Sequence, residues 1–203
     1  MERKGGEWTT GIGRCNRTRV RGLSTEFGHH KLVKQGRRMW FSNRADQPFD
    51  DCVEIGARYQ ARLATFQVDR ATLDSHMLEL AVEAGCDLQR PAKVTAIELA
   101  GTNGAHVSYA THSSQETVHA RWLVDASGRA AMLGRKLGHF RQNTDHPINA
   151  VWARFSCVKD WDSYDWRERF PEYANACRTG RNWATNHLMG HGWWCWIIPL
   201  KGG

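Results

Sequence analysis

Two tryptophans two positions apart form the most specific cluster in the sequence. Trp194 and Trp196 lie in the hydrophobic stretch 193–200 (WWCWIIPL), which is typical of a β-strand. Alternate residues of a strand point to the same face, so the two indoles would form one rigid aromatic wall. Such a wall could line a pocket, or it could belong to a core or interface strand, because tryptophan supplies a large buried area in either place.

A second cluster is the stretch 123–129 (LVDASGR), where an apolar segment gives way to small residues and glycine. This pattern predicts a buried strand that ends in a turn and the start of a helix, which brings backbone close to a ligand. Asp125 could then hydrogen-bond a ligand hydroxyl. The alternative is an ordinary turn in which Asp125 or Ser127 caps the helix.

A third feature places an amide and a guanidinium at the start of a predicted helix. Gln67 and Arg70 flank Asp69, a predicted N-cap, and the helix continues to Gly85. Apolar residues at spacings of three and four form one face of this helix: Leu73, Met77, Leu80, Ala81 and Ala84. Gln67 and Arg70 could bind a ligand at the helix terminus, or Asp69 could simply cap the helix beside a solvated arginine.

The remaining elements predict a mixed α/β chain. A strand over residues 62–67 precedes the helix, and residues 93–100, 105–111 and 118–126 form an antiparallel meander whose last strand is the most buried. Residues 129–137 form a short helix, residues 148–158 form a strand, and residues 160–186 mix helix with loop. Residues 1–26 show neither helical nor strand periodicity, so we predict an irregular arm there.

The net charge of +7 is concentrated in one part of the 203 residues. The first 38 residues carry ten basic and three acidic side chains, and the rest of the chain is neutral overall. Because residues 39–203 are neutral overall, they offer no broad basic surface for nucleic acid, and we do not expect a nucleic-acid partner for them. A binding module with a basic arm remains an alternative from a different class of function.

The cysteines and the hydropathy pattern exclude two other classes. No two of the six cysteines are close enough in sequence to form a zinc-ligand pair, so we expect no metal site and reduced thiols. No apolar run reaches the roughly 20 residues that a membrane span needs, and no signal peptide follows the N-terminal charges. We therefore expect a cytoplasmic protein.

Taken in order, these features resemble one enzyme family. The runs FQVDRATLDSHMLELAVEAGC, ARWLVDASGRAAMLGRKLG, NAVWARFS and GWWCWIIPL are similar to flavin-dependent halogenases and halogenase-like oxidoreductases. The last run matches the halogenase signature W-x-W-x-I-P at every fixed position: Trp194, Trp196, Ile198 and Pro199. The resemblance implies an incomplete FAD-binding domain of the Rossmann-like, glutathione-reductase type over residues 27–140, and the start of an antiparallel substrate-domain sheet over residues 141–203.

The resemblance also implies a chemistry and a set of site residues. Reduced flavin from a separate reductase reacts with O2 and oxidises chloride or bromide, and a lysine passes the halogen to an electron-rich aromatic substrate. Lys34, followed by Met39 and Phe41 at the family's spacing, is the implied lysine, with Lys31 as the competitor. Trp194 and Trp196 would keep substrate away from the oxidant. Gln67, Arg70, Asp125 and Gly128 would contact FAD.

Two family features are not found in this sequence. The first is the dinucleotide-binding turn: Gly11-Ile12-Gly13 does not follow a hydrophobic strand and is no credible version of it. The second is the later flavin motif with the catalytic glutamate, which in the family follows W-x-W-x-I-P and has no counterpart in the residues up to 203. We therefore expect an internal fragment that binds FAD weakly or not at all and is inactive alone. A flavin-dependent monooxygenase or reductase of the same superfamily is the alternative within enzymes.

Overall fold

The computed structural model describes residues 6–8, 32–60, 65–177 and 179–201. Within these residues the strands are β1 (Gly6–Trp8), β2 (Leu32–Lys34), β3 (Arg37–Phe41), β4 (Val53–Gly56), β5 (Thr65–Asp69), β6 (Lys93–Leu99), β7 (Ala105–Ala110), β8 (Gln115–Ala120), β9 (Thr185–Gly190) and β10 (Trp193–Ile197). The α-helices are α1 (Arg70–Glu83), α2 (Met132–Lys136), α3 (Tyr164–Arg169) and α4 (Pro171–Asn175). None of these helices has the length and apolar character that crossing a membrane requires.

The chain forms two compact units. The first contains the described residues up to 78 and from 152 onward, and the second contains residues 79–151. The mixed α/β class with antiparallel sheets is confirmed.

The first unit contains two sheets. One is three-stranded and antiparallel, in the order β1-β5-β2, and the other is four-stranded, in the order β10-β9-β3-β4, with β3 and β9 parallel. Backbone hydrogen bonds fix the short link between β2 and β3: Gln35 N–H donates to Trp183 O over 2.7 Å, and Thr185 N–H donates to Gly36 O over 3.2 Å. The start of β9 is therefore tied to the link that follows Lys34.

The four-stranded sheet has two chemically different faces. Paired residues on neighbouring strands point to the same side, so Trp196, His187 and Met39 share what we call the front face. The opposite, back face carries the residues between them: Asn186, Leu188, Arg38, Trp40 and Glu54.

The back face packs against an aromatic and ionic core. Trp40 is buried and stacks on Tyr173 of α4, with 5.7 Å between ring centroids. The fully buried Arg181 forms ion pairs with Glu54 of β4 (2.6 Å) and with Asp162 (2.7 Å), and its guanidinium lies 3.6 Å from the Tyr173 ring centroid. Two carboxylates and an aromatic face thus replace the water that the buried cation has lost.

Helix α1 begins and ends where the sequence predicts. Ala71 N–H donates to Asp69 Oδ1 over 3.0 Å, which confirms Asp69 as the N-cap. At the other end Gly85 has φ +93°, Gly85 N–H donates to Val82 O, and Cys86 N–H donates to Ala81 O. These are the two hydrogen bonds of a Schellman motif, which needs a left-handed residue at this position.

The second unit contains the predicted meander. Strands β6, β7 and β8 pair antiparallel in sequence order, and Ala105 and Tyr109 of β7 are buried. A short helical stretch after residue 127 is also confirmed, as a 3-10 turn followed by α2.

Three sequence predictions of local structure are wrong. The third meander strand ends at Ala120, and Trp122 and Val124, expected to be its buried end, are strongly exposed. Residues 148–158 form no strand, and no described strand pairs with them. The alternation of apolar and polar side chains in this segment supplies no hydrogen-bond partners for its backbone N–H and C=O groups. Three residues of the predicted irregular arm form β1, which pairs with β5.

Candidate active site

Lys34, the lysine implied by the family resemblance, is buried at the end of β2. Its side chain is 2% exposed, and burial together with the Arg37 guanidinium lowers its pKa to about 8. Desolvation disfavours the charged ammonium, so the amine exists partly in its neutral, nucleophilic form near neutral pH. The competitor Lys31 lies outside the described residues.

Gln67, predicted to contact the cofactor, lies on the neighbouring strand β5. Pairing of β2 with β5 sets Leu32 opposite Gln67 and Lys34 opposite Thr65, so Lys34 and Gln67 point to the same face. Gln67 is 1% exposed, and its Oε1 accepts a hydrogen bond from Thr185 Oγ1 over 3.3 Å. Its Nε2 is buried and has no hydrogen-bond partner among the described residues.

The two tryptophans of the signature stand on the front face of β10. Their ring centroids are 6.4 Å apart, and Trp194 and Trp196 are 43% and 52% exposed. The rings are therefore not buried in a core, and the interpretation as a core strand is wrong. An aromatic surface that can line a pocket or an interface remains.

His187 is a site residue that the sequence interpretation missed. It lies on the front face of β9, is 6% exposed, and stacks on Trp196 with ring centroids 5.4 Å apart and planes 27° apart. Burial and the positive charges of Arg37 and Lys34 lower its pKa, so the imidazole is neutral at pH 7. Its Nε2 is buried without a hydrogen-bond partner among the described residues.

No alternation in the sequence singles out His187. The segment TNHLM has three polar residues followed by two apolar ones, and it runs directly into Gly190-His191-Gly192, a turn that leads to the Trp194 strand. The turn indicates a hairpin, which β9 and β10 form, whereas the burial of His187 and its stacking on Trp196 follow from the strand pairing in the structure.

Arg70 occupies the first position of α1, as predicted, but its guanidinium is engaged within the helix. Arg70 Nε and Nη2 donate to the two carboxylate oxygens of Asp74 over 2.8 and 3.1 Å. With Asp69 capping the helix, the local geometry agrees with the structural alternative for this motif.

Asp125 and Gly128 lie in the second unit, in the turn before α2. Asp125 Oδ1 accepts from Ser127 N–H over 2.9 Å and Oδ2 accepts from Leu133 N–H over 2.8 Å. Hydrogen bonds from Ser127 and from backbone N–H groups lower the pKa of this exposed carboxyl. Gly128 has φ +61° and open space where a Cβ would project, so a ligand can approach its backbone.

The structure thus brings together one set of predicted and unpredicted residues in the first unit. The set combines a buried amine, two buried polar side chains, a hydroxyl and an indole: Lys34, Gln67, His187, Thr185 and Trp196. The charge of Lys34 acts on the His187 ring, so these two groups are electrostatic neighbours. Such a site can offer a nucleophilic nitrogen, hydrogen-bond donors and an aromatic surface to one ligand.

No protein-family model matches the chain. The Tetracycline 7-halogenase of Kitasatospora aureofaciens is 33% identical over 132 residues, which are 65% of this chain and 23% of that protein. The 1H-pyrrole-2-carbonyl-(peptidyl-carrier protein) chlorinase of Pseudomonas fluorescens is 32% identical over 101 residues, which are 50% of this chain and 21% of that protein.

Solved structures show the same fold. The crystal structure of CmlS, a flavin-dependent halogenase, matches with a TM-score of 0.65 at 18% identity, over 98% of this chain and 33% of that chain. The relatives and the structural neighbour are halogenases, which confirms the resemblance predicted from the sequence. The chain spans less than a quarter of the length of these curated relatives.

Proposed function

We propose that this chain carries the lysine and the aromatic wall of a flavin-dependent halogenase-like oxidoreductase. Such an enzyme would use reduced flavin, O2 and chloride or bromide to halogenate an electron-rich aromatic ring, with a separate flavin reductase as its partner. The observation that supports this proposal best is Lys34, a buried lysine whose pKa is lowered to about 8. The exposed Trp194 and Trp196 in the same unit give it an aromatic surface.

The residues predicted to hold FAD fit it in part. Gln67 offers a buried Nε2 donor without a partner among the described residues, and Gly128 leaves its backbone open to a ligand. Arg70 and Asp125 already make local hydrogen bonds, so either would have to exchange a partner to contact FAD. When bound, the reduced flavin would supply, with O2, the oxidant that converts halide into hypohalous acid.

Lys34 would then carry the halogen. At pH 7.5 a pKa of about 8 leaves roughly a quarter of the amine neutral, against roughly one part in a thousand for an ordinary lysine. The neutral nitrogen attacks the halogen of hypohalous acid, a nitrogen–halogen bond forms, and the hydroxide that leaves takes the nitrogen's proton to become water. An aromatic carbon next attacks the halogen, the nitrogen–halogen bond breaks, and the nitrogen recovers one proton as the ring loses one, which regenerates the neutral amine.

Trp194 and Trp196 would act by shape. Two stiff indoles on one strand face can block the approach of an aromatic molecule while a small anion or hypohalous acid passes. The oxidant would then meet halide in preference to the organic substrate, which favours halogenation over hydroxylation.

The test uses a full-length homologue that carries the lysine and the W-x-W-x-I-P motif, because we expect the present chain to be inactive alone. The homologue is supplied with FAD, a flavin reductase, NADH, O2 and bromide, and is offered a panel of indoles, pyrroles and phenols. We expect products with the isotope pattern of one bromine, which mass spectrometry detects, and their loss when the lysine that matches Lys34 is replaced by Met. Replacement of an exposed lysine, as Lys159 is in this chain, is the matched control. Hydroxylated products without bromine would instead support the monooxygenase alternative.

Flavin retention is measured separately. We propose that the chain alone binds FAD weakly, so flavin absorbance is expected to separate from it during gel filtration. Flavin that co-purifies in a one-to-one ratio would contradict this.

A further inference from the structure

A row of three polar side chains crosses the exposed face of the meander in the second unit. Strand pairing sets Glu98 of β6 opposite His106 of β7, and His106 opposite His119 of β8. Residues opposite each other on neighbouring strands point to the same side, and all three side chains are exposed. The other face of β7 carries the buried Ala105 and Tyr109, so the row lies on the solvent side of the sheet.

The rings of His106 and His119 are spaced as two ligands of one metal ion would be. Their ring centroids are 4.8 Å apart and their planes are tilted by 44°. Zinc–nitrogen distances of about 2.0–2.1 Å place the centroids of two bound imidazoles about 4.5 Å apart for a right angle at the metal and about 5.2 Å apart for a tetrahedral angle. The observed separation falls between these two values, so the spacing of the strands suits a single bridging ion.

The His119 ring is oriented by a backbone carbonyl. Its Nε2 lies 2.7 Å from Asn103 O, and because a carbonyl oxygen only accepts, Nε2 carries the proton of this hydrogen bond. The neutral ring therefore keeps its lone pair on Nδ1. Metal-binding histidines have this arrangement, since they donate the second ring N–H to a carbonyl or carboxylate that fixes the tautomer and the orientation of the ring.

Gly104 places the carbonyl that orients His119. Its φ is +93°, and a Cβ at this position would overlap the backbone oxygen of Ala120, the residue that follows His119. Glycine therefore lets the turn between β6 and β7 lie against the end of β8, which brings Asn103 O within reach of the His119 ring. The support of this ring is thus part of the backbone of the sheet.

Charge and ligand number define what these histidines can bind. Glu98, next in the row, adds a negative charge that favours a cation. Imidazole nitrogen is a ligand of Zn²⁺ and of neighbouring first-row dications such as Ni²⁺ and Cu²⁺. In the part of the chain that the structure describes, no group of three or more His, Cys, Asp or Glu side chains could hold a metal ion, so water would occupy the remaining positions of a two-histidine site.

We propose that His106 and His119 form a two-histidine site for a divalent first-row transition metal such as Zn²⁺, with His119 Nδ1 as one ligand atom. The site is independent of the proposed function, because it lies in the second unit and no step of halogen transfer uses it. The sequence does not indicate it, since the two histidines become neighbours only through the pairing of β7 with β8. Bound metal cross-links these two strands.

The experiment titrates the full chain with zinc chloride and follows the side-chain ¹⁵N resonances of its histidines by NMR. We expect Nδ1 of His119 to shift much more than Nε2, because the metal bonds to Nδ1 while Nε2 keeps its hydrogen bond. One ring nitrogen of His106 should shift at the same zinc concentration. Unmoved resonances of these two rings, or a shift of His119 at Nε2 instead of Nδ1, would overturn the proposal.

Variants test whether the two rings act together. His106→Gln and His119→Gln alter exposed side chains, and each should lower the zinc affinity of the remaining ring at least about tenfold, since residues that merely orient a metal ligand already contribute about 10- to 100-fold. His112→Gln, at an exposed histidine between β7 and β8, is the control and should leave this affinity unchanged. Equal zinc affinities of the His119 ring in wild type and in His106→Gln would mean that each histidine binds zinc alone, which contradicts the shared site.

Discussion

The lowered pKa of Lys34 makes the stability of the chain depend on pH in a direction opposite to that of a salt-bridged lysine. The pKa is about 8 in the folded protein and 10.5 for the ordinary side chain, so between these values the unfolded state binds more protons. Stability therefore rises as pH increases through 8, and the rise is complete above 10.5. Below pH 8 the buried ammonium is a constant destabilising contribution.

The magnitude follows from those two pKa values. Between pH 7 and pH 10, Lys34 should raise the free energy of unfolding by roughly 2 to 3 kcal/mol. Lys34→Met removes the titrating group and keeps its length, so the difference between wild type and this variant should change by that amount. Urea denaturation at both pH values measures it, and Lys159→Met, at an exposed lysine, should show no such change.

A difference between wild type and Lys34→Met that stays constant from pH 7 to pH 10 would refute the reasoning. It would mean that Lys34 titrates as an ordinary lysine and that no neutral amine is present near pH 7.5. The same result would remove the main support for its proposed role in halogen transfer.

Three further predictions concern the framework around the site, and urea denaturation measures all of them. Arg181→Met should lower the free energy of unfolding by about 4 kcal/mol, because Glu54 and Asp162 lose their buried counter-charge. Arg129→Met, at an exposed position, should change it little, and equal effects of the two substitutions would contradict the buried ion pairs. Asn186→Ala should lower the free energy of unfolding by about 2 kcal/mol, because the Asn186 side chain donates to Arg181 O and Ala184 O and accepts from Trp40 Nε1. His187→Phe, at the next position of the strand, should lower it far less. Gly85→Ala should lower the free energy of unfolding by about 1 kcal/mol, because Gly85 has a left-handed φ of +93°. Gly134→Ala, inside α2, should not lower it. A larger loss of stability in Gly134→Ala than in Gly85→Ala would contradict the helix boundaries.

Features of the fold that depend on neighbours in sequence could be predicted. Asp69 and Gly85 bound α1 because capping and the Schellman motif involve residues within one turn of the helix. The meander was also predictable, since each of its strands pairs with the next one along the chain.

The errors concern segments whose structure depends on distant partners. Residues 148–158 have a strand-like alternation, yet a strand forms only where another backbone supplies hydrogen bonds. Conversely, β9 pairs in parallel with β3, almost 150 residues earlier, and nothing within either segment indicates this pairing.

The residues of the candidate site also fall into two groups, those that local spacing predicts and those that depend on the pairing of distant strands. The shared face of Trp194 and Trp196 follows from a spacing of two, which is a local property of a strand. The burial of Lys34 and the stacking of His187 on Trp196 depend on strand pairings across the first unit. Family resemblance supplied Lys34, whereas His187 could be found only from the structure.

The two faces of the four-stranded sheet explain why adjacent residues on one strand have opposite roles. On β9, Asn186 points to the back face and has all of its polar atoms engaged, whereas His187 points to the front face and leaves Nε2 without a described partner. The ion pairs of Arg181 and the hydrogen bonds of Asn186 behind the sheet fix the strands that hold the front face. Substitutions should therefore separate by strand position: back-face changes lower stability, and front-face changes alter ligand binding.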